Sequence, residues 1–253
     1  MNTRLKTSDL SLLHVKRSKL QAAESQIRQF VDGLAEDAPN RPVLVEAVQS
    51  VFVFAQEEAG TAVCIAPGGL LLTCSHCLGI VVQARCTAWD GVRDLALLQI
   101  VAAERAEQAS NLRIWSCAKI GTIMPKVSTR LLCVGHPGSE DLEHSRAGVA
   151  TGYDVIHVSE GRYRGCDVGQ DIQDNSEIGA LMHDCWTYWG HSGAPLIERS
   201  TGLLVGLHSS WDDETGMRRG VALEAVIAFL AEQSSDDAKK SAGSSSDNAI
   251  VLE

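Results

Sequence analysis

A serine flanked by glycines is the feature of this sequence best suited to chemistry. It lies in the segment W-G-H-S-G-A-P, which runs from Trp189 to Pro195. The glycines allow a tight turn that would expose the hydroxyl of Ser192, and the amides of Gly190 and Ser192 would then point at one spot. Such N–H groups can stabilise an oxyanion, although glycine and serine also occur together in ordinary turns. The segment therefore predicts a nucleophilic serine with an oxyanion hole at Gly190 and Ser192.

Two upstream segments supply the groups that a serine nucleophile needs. The apolar strand pattern L-L-T-C-S-H-C leads into His76, and Asp94 opens the apolar pattern D-L-A-L-L. A serine hydroxyl is a poor nucleophile until a base removes its proton, and a neutral imidazole titrates in the suitable range. Histidine, aspartate and serine in this chain order are one known arrangement for serine-based acyl transfer. We therefore expect His76, Asp94 and Ser192 to meet in one site.

In these three segments the sequence resembles the chymotrypsin-like (trypsin-like) serine proteases. The family signatures T-A-A-H-C, D-I/L-A-L-L and G-N/D-S-G-G-P are matched at His76, Asp94 and Ser192, and the resemblance covers roughly residues 50 to 230. It implies a serine endopeptidase in which His76 is the general base, Asp94 orients that base, and Gly190 and Ser192 bind the oxyanion. It also implies an all-β fold of two six-stranded antiparallel β-barrels.

The resemblance is closest to the branch of the family that contains the glutamyl endopeptidases, the exfoliative toxins and the HtrA-type proteases. Secreted trypsins begin with a processed Ile-Val-Gly-Gly segment whose amine pairs with an aspartate just before the serine. Here no such start is present, and His191 stands before Ser192. These departures predict a protease that folds without cleavage of a precursor. We expect the PDZ domain of HtrA-type relatives to be missing, because the sequence leaves no room for it.

The short interval between the proposed base and acid is the main departure from the family. Only 18 positions separate His76 from Asp94, whereas the resemblance implies room for another strand or two of about five residues each. We therefore expect either a first barrel that lacks a strand or a sequence from which a segment has been lost. Asp90 is the alternative acid, but Asp94 is favoured because an apolar strand pattern follows it directly. The alternative function is a catalytically inactive protease-fold module that binds peptides or partner proteins.

Residues around the serine resemble the substrate pocket of the glutamyl endopeptidases and exfoliative toxins. Thr187 stands five positions before Ser192, and the segment G-L-H-S-S-W places His208 in the following strand pattern. A carboxylate that enters a pocket must exchange water for hydrogen-bond donors, which Thr187 Oγ and His208 can supply. We expect cleavage after Glu, and next after Asp or Gln. The predicted substrate-binding residues are Thr187, His208, Ser209, Ser210, Trp211 and Gly220.

Charged residues near this pocket favour two different substrate classes. Arg218 and Arg219 would add positive potential for an acidic side chain, whereas the acidic residues 212–214 would favour a basic one if they faced the pocket. The aspartate that binds basic side chains in trypsin has no counterpart, because Trp186 occupies its place, six residues before the serine. The sequence therefore favours an acid-binding pocket.

Composition divides the chain into three parts. Residues 1–42 carry a helical pattern with one apolar face and form a predicted N-terminal helical extension. Residues 43–232 alternate short apolar strands with turns, which indicates the protease domain, with half-barrels at about 43–120 and 121–232 and a closing C-terminal helix. Within this domain the polar segment 159–177 is expected to be a surface loop. Residues 233–253 are acidic and Ser-rich and are expected to be disordered.

Charge and composition also limit the partners. The formal net charge of −10 and the pI of about 5.3 argue against nucleic acid. No apolar run approaches the length of a membrane span, and residues 1–20 are too polar for a signal peptide, so we expect an intracellular protein, cytoplasmic or nuclear. The segment 244–253, S-S-S-D-N-A-I-V-L-E, resembles a SUMO-interacting motif, which makes SUMO a candidate partner besides a protein or peptide substrate.

Eight cysteines invite a disulfide interpretation that their positions do not support. Cys77 follows the histidine as in secreted trypsins, yet the place of its usual partner is occupied by Thr61. We therefore expect reduced, mostly buried thiols. Cys74, His76 and Cys77 lie too close together at one strand end for good tetrahedral zinc coordination. The sequence predicts neither a metal nor a cofactor.

Overall fold

The computed structural model describes residues 40–54, 60–74, 83–102, 115–138, 140–142, 144–151 and 156–243, together with scattered helical positions between 11 and 33. These scattered positions agree with the predicted N-terminal helix. One of them, Lys16, donates a hydrogen bond from Nζ to the carbonyl of Phe54 at 2.8 Å. His76 and the tail motif at 244–253 lie outside the described residues.

The first half of the chain contains a five-stranded antiparallel sheet. Its strands are β1 (Val51–Val53), β2 (Thr61–Ala66), β3 (Leu70–Thr73), β4 (Gln83–Asp90) and β5 (Leu95–Ala102). They follow the order β1-β2-β3-β5-β4. In the described part of the chain β1 and β4 do not pair, so this sheet is open. The expected first barrel is therefore not closed among the described strands, where β4 is the one strand between β3 and β5 in the chain.

The second half forms a closed six-stranded antiparallel barrel. Its strands are β6 (Arg130–Gly135), β7 (His157–Cys166), β8 (Leu181–His183), β9 (Pro195–Glu198), β10 (Leu204–Trp211) and β11 (Arg218–Ala222). They follow the order β10-β11-β8-β7-β6-β9 around the barrel. The prediction of a second six-stranded barrel is confirmed. The prediction of a loop over 159–177 is wrong in its first part, because β7 continues to Cys166 with alternate residues buried.

A short helix that the sequence did not indicate precedes the first sheet. Helix α1 spans Arg41–Gln49 and carries Pro42 in its first turn, where a missing N–H costs no helical hydrogen bond. It buries Leu44, Ala47 and Val48, which share one helical face. The apolar pattern after residue 43 therefore belongs first to a helix and only then to β1.

A C-terminal helix closes the fold. Helix α2 spans Leu223–Gly243 and packs Ala225, Val226 and Phe229 into the core. The sequence analysis expects disorder from residue 233 onward, whereas the helix continues to Gly243. Among the helices of the described ranges, none is long and apolar enough to cross a membrane.

The largest hydrophobic cluster is shared by both halves of the fold. Leu72 and Leu95 of the open sheet belong to the same buried cluster as Leu132 and Leu204 of the barrel, together with Phe229 of α2. Burial of this apolar area is the main favourable term that holds the two halves together. The junction between them is therefore packed, and the groups at its edge have fixed relative positions.

Candidate active site

Ser192 lies in the turn between β8 and β9, at the edge of the barrel that faces the open sheet. The turn contains two glycines with left-handed backbone, Gly190 at φ +95° and Gly193 at φ +82°. Both also meet neighbouring backbone closely, since a Cβ at Gly190 would collide with the His136 carbonyl and one at Gly193 with the Thr61 carbonyl. Ser192 is half-buried, and its hydroxyl donates to the Ser209 carbonyl at 3.0 Å. The glycines thus permit the predicted tight turn.

Thr61, at the start of β2, joins the serine turn to the open sheet. Its N–H donates to the Ser192 carbonyl at 2.7 Å and its hydroxyl to the Gly190 carbonyl at 2.9 Å. The same hydroxyl accepts the N–H of His136 at 3.0 Å, and the Thr61 carbonyl accepts the hydroxyl of Thr73 at 2.7 Å. Thr61 is fully buried. One residue therefore links β2, β3, the serine turn and the loop after β6.

The two amides of the predicted oxyanion hole are held through the carbonyls of their own peptide groups. The Trp189 carbonyl accepts the N–H of Gly138 at 2.8 Å, and the His191 carbonyl accepts the N–H of Ala194 at 2.7 Å. A trans peptide is planar, so fixing its carbonyl also fixes the direction of its N–H. The N–H groups of Gly190 and Ser192 are therefore preorganised, which an oxyanion hole requires.

Asp94 lies immediately before β5, beside the end of β3. It is buried with 8% of its surface exposed and has left-handed backbone at φ +54°. Thr73 of β3 pairs with Ala96 of β5, so the end of β3 and Asp94 meet at one edge of the sheet. His76, the predicted base, follows β3 outside the described residues. The structure thus brings Asp94 to the strand end from which the chain runs on to His76.

Asp90, the alternative acid, has a local structural role. Its carboxylate accepts the N–H groups of Val92 at 2.9 Å and Arg93 at 3.0 Å, and it also accepts the Arg93 guanidinium at 2.8 Å. These contacts cap the turn between β4 and β5 and leave Asp94 as the carboxylate at the strand start. The assignment of Asp94 as the acid stays a prediction, now with a structural reason to prefer it over Asp90.

A pair of buried histidines lies behind the serine turn. Nε2 of His191 is 3.2 Å from Nδ1 of His157, and Nδ1 of His191 is 3.2 Å from the Tyr188 amide nitrogen. The His191 ring packs where a Cβ of Gly135 would otherwise lie. Burial lowers the pKa of His157 from 6.5 to about 4 and holds the pKa of His191 well below its usual value. Both rings are therefore neutral near pH 7.

A second histidine pair lies in the barrel at the predicted substrate pocket. Nε2 of His183 is 3.2 Å from Nδ1 of His208, and His208 is buried on β10. Burial, with a further contribution from the positive charge of Arg218, lowers the pKa of His183 to about 3. Thr187 is also buried, and Gly220 pairs with His208 where β10 and β11 approach closely. The structure thus brings His208 and Gly220 side by side within the barrel wall.

Arg218 occupies the space between two tryptophans. Its guanidinium carbon lies 4.5 Å from the ring centre of Trp186 and 5.4 Å from that of Trp211, which is its pairing partner on β10. Its Nη2 also lies 3.4 Å from the Thr187 carbonyl. Stacking on aromatic faces suits a guanidinium, because the ring quadrupole attracts the cation. The sequence indicated Arg218 only as nearby positive potential, and nothing in it signalled this stacking.

The other charges near the pocket are engaged elsewhere. Arg219 forms an ion pair with Asp167. The carboxylate of Asp212 accepts the N–H groups of Glu214 and Thr215 within the turn after β10, and residues 213 and 214 are exposed. The acidic run therefore caps its own turn, which removes the main sequence argument for a basic substrate.

Several residues of this region were not identified from the sequence. Thr61, His157 and His183 are isolated polar residues in strand patterns, and their roles depend on partners far along the chain. No spacing signal marks them. Among the described residues no group of three or more His, Cys, Asp or Glu is placed to hold a metal ion, and Cys77 and His76 of the C-x-H-C segment lie outside them.

The open sheet, the closed barrel and the serine turn between them match a known class of protein. Residues 60–207 match the trypsin-like peptidase domain, and the chain belongs to this family. The fold is chymotrypsin-like. The prediction of a trypsin-like domain is confirmed at this level, while the finer assignment to the glutamyl endopeptidase and HtrA-type branch stays a prediction.

Solved structures of two bacterial proteases are similar to this chain. The Rv3671c protease of M. tuberculosis, in its inactive form, has 18% sequence identity and a TM-score of 0.54, over 76% of this chain and 92% of that chain. The serine endoprotease from Yersinia pestis has 18% identity and a TM-score of 0.53, over 78% of this chain and 66% of that chain. Identities of this size show a shared fold. No curated protein matches the sequence.

Replacement of Thr61 by valine tests the link between the two halves. The change keeps the side-chain shape but leaves the Gly190 carbonyl and the His136 N–H without their partner. We expect the free energy of unfolding to fall by about 2–4 kcal/mol, because each buried group left unsatisfied costs about 1–3 kcal/mol. Urea unfolding measures this change. Thr87→Val, on the exposed side of β4, is the matched control, and equal effects of the two changes would contradict the role of Thr61.

The buried histidines predict a loss of stability in acid. Their pKa values are lowered in the folded protein, so the unfolded chain takes up protons first as the pH falls below about 6.5. The contribution of each such histidine to the free energy of unfolding is fully present above that pH. It falls by about 1.4 kcal/mol per pH unit as the pH decreases toward 4. Urea unfolding between pH 7.5 and 5 measures the slope.

The variant His157→Asn isolates one contribution to this slope. It keeps a polar atom near the position of Nδ1 but cannot take up a proton, so we expect the slope below pH 6.5 to decrease by about 1.4 kcal/mol per pH unit. His144→Asn, in an exposed segment, is the control and should leave the slope unchanged. An unchanged slope in His157→Asn would show that the His157 ring is not held neutral by burial.

Proposed function

We propose that this protein is a serine endopeptidase with Ser192 as nucleophile, His76 as general base and Asp94 as the acid that orients the base. The observation that carries the proposal is the serine turn, in which the Ser192 hydroxyl is half-buried and the carbonyls of the Trp189–Gly190 and His191–Ser192 peptide groups are hydrogen-bonded. Membership of the trypsin-like peptidase family supports the same reaction class and protein substrates. Free thiols at the seven described cysteines suit the intracellular location that we propose.

Chain connectivity supports the assignment of His76. Cys74 reaches the barrel, since its Sγ donates to the His208 carbonyl at 3.4 Å and its amide lies next to Gly193. His76 is two residues further along, so trans peptides limit the separation of the Cα atoms of residues 74 and 76 to about 7.6 Å. This chain length allows His76 to reach Ser192, as the proposal requires. Asp94 stands at the same strand end.

The proposed reaction is acyl transfer in two stages. The imidazole of His76 takes the proton of Ser192 Oγ while the oxygen attacks the peptide carbonyl, and the N–H groups of Gly190 and Ser192 receive the oxyanion. His76 then gives the proton to the leaving amine. Water repeats the sequence on the acyl-enzyme and releases the new carboxylate. Asp94 holds the imidazole in the tautomer that accepts the serine proton and stabilises its cation.

Active-site labelling and peptide cleavage test this proposal. The wild type should bind a fluorophosphonate probe covalently, while Ser192→Ala should not be labelled and should lose about 10⁶-fold in kcat. The surface change Ser200→Ala is the control. Asp94→Asn should lower kcat about 10⁴-fold because the wrong imidazole tautomer is favoured, and Asp90→Asn should have a much smaller effect. Peptide binding without labelling or turnover would instead support the non-catalytic module.

We propose that the enzyme prefers Glu, and next Asp or Gln, before the cleaved bond. The stacked Arg218 supplies positive charge beside the Thr187 carbonyl, and that charge acts on His183, the partner of His208. A further donor follows from the His183 pair. In the described part of the chain Nδ1 of His183 has no hydrogen-bond partner, and a buried acceptor without a partner costs less than a buried N–H without one. This favours a proton on His183 Nε2 and leaves His208 Nε2 as an N–H donor.

Neutralising Arg218 tests the acid preference. We expect Arg218→Gln to lower kcat/KM for a Glu peptide about 10- to 100-fold, because a charge-assisted hydrogen bond to carboxylate contributes about 1.5–3 kcal/mol. The matching Gln peptide should be cleaved with little change, which separates lost selectivity from lost folding. Arg199→Gln, on the surface beyond β9, is the control. A peptide-library profile of the wild type with Lys or Arg before the cleaved bond would overturn the acid-binding pocket.

A further inference from the structure

Arg93, the residue before Asp94, is bonded to three separate parts of the fold. Its Nη1 and Nη2 donate to the two carboxylate oxygens of Glu232 on α2 at 2.8 and 2.7 Å. Nη1 also donates to Asp90 at 2.8 Å, and Nε donates to the side chain of Gln173 at 2.8 Å. The Arg93 side chain is only 17% exposed. One guanidinium thus connects the β4–β5 turn with the C-terminal helix and the segment between β7 and β8.

Further hydrogen bonds join the turn that carries Asp94 to its surroundings. Asp90 caps it from within, and the Val92 carbonyl accepts the N–H of Asn175, a buried residue of the second half, at 2.7 Å. At its end Asp94 adopts φ +54°, a backbone conformation that non-glycine residues adopt only when the surroundings hold it. The residue directly before it, Arg93, carries the bonds to α2.

We propose that Arg93 and Glu232 are a positioning pair that keeps the carboxylate of Asp94 in place and makes the C-terminal helix part of the catalytic framework. The inference rests on the proposed function, in which Asp94 orients the base. Single exposed ion pairs contribute little to stability, but this pair is bidentate and belongs to a network. Its main effect is on geometry, since displacement of a catalytic group by about 1 Å can lower a rate about 100-fold.

Substitution on the helix tests the pair without touching the catalytic turn. Glu232→Gln keeps the size of the side chain and removes its charge, and Glu224→Gln on the exposed side of the same helix is the matched control. We expect Glu232→Gln to lower kcat about 10- to 100-fold with little change in KM. The acidic limb of the pH profile of kcat/KM should move to lower pH, because a displaced carboxylate stabilises the imidazolium less. A loss of stability alone would not move that limb.

A double variant separates the pair from unrelated effects of each change. If Glu232 acts through Arg93, Arg93→Gln combined with Glu232→Gln should be no worse than Arg93→Gln alone, since interacting residues are not additive. Additive losses would overturn the proposal. So would a Glu232→Gln enzyme with the kcat and pH profile of Glu224→Gln.

Amide hydrogen exchange gives a readout that does not depend on activity. Glu232→Gln should speed exchange at residues 92–95 at least tenfold and leave β2 unchanged, while Glu224→Gln should alter neither. If the fluorophosphonate probe does not label Ser192 in the wild type, the proposed function fails. Faster exchange at the turn would then still support the structural link, and unchanged exchange would overturn it.

Discussion

The hydrogen bonds of Thr61 are the constraint on which the rest of this structure depends. A reaction that uses groups from two halves of a fold needs those halves in fixed register, and hydrophobic burial alone is not directional. Thr61 supplies direction, because its amide and hydroxyl bond the serine turn while its carbonyl bonds β3. Of the two glycines in the serine turn, Gly193 lies against the Thr61 carbonyl and Gly190 lies against the carbonyl of His136. The shared core holds the halves together, and Thr61 sets their alignment.

The interior behind the serine turn is built from neutral rings. Secreted trypsins place an aspartate before the serine, where a new amine neutralises it, whereas this chain has His191 next to His157. Two uncharged imidazoles can share a hydrogen bond in a dry interior without the large desolvation cost of ions. The turn is therefore supported at this place by neutral groups and not by a buried ion pair. The second pair, His183 with His208, applies the same principle in the barrel wall.

The sequence predicted the parts of the structure that depend on local pattern. The second barrel, the closing helix and the turn at Ser192 follow from apolar strand patterns and glycine placement. Helix α1 was missed because its Val-rich stretch reads as a strand, and tertiary burial of Leu44 and Val48 overrides that preference. The part of β7 from Ser159 onward was taken for a loop because its exposed face carries charges and it contains glycines. The bonds from Thr61 to Gly190 and His136, and those from Arg93 to Gln173 and Glu232, join residues more than 70 positions apart, and no local pattern in one sequence reveals such pairs.

The open first sheet has a consequence for the surface of the molecule. In a closed barrel the main-chain N–H and C=O groups of every strand pair with a neighbouring strand. The outer edge of β4 has no partner strand within the described chain. Water must hydrate the main-chain groups along that rim, and such rims attract extended segments of other molecules. Arg85 and Asp90 place charge along β4, while Trp89 presents an exposed indole. Self-association at high protein concentration should therefore occur through this strand.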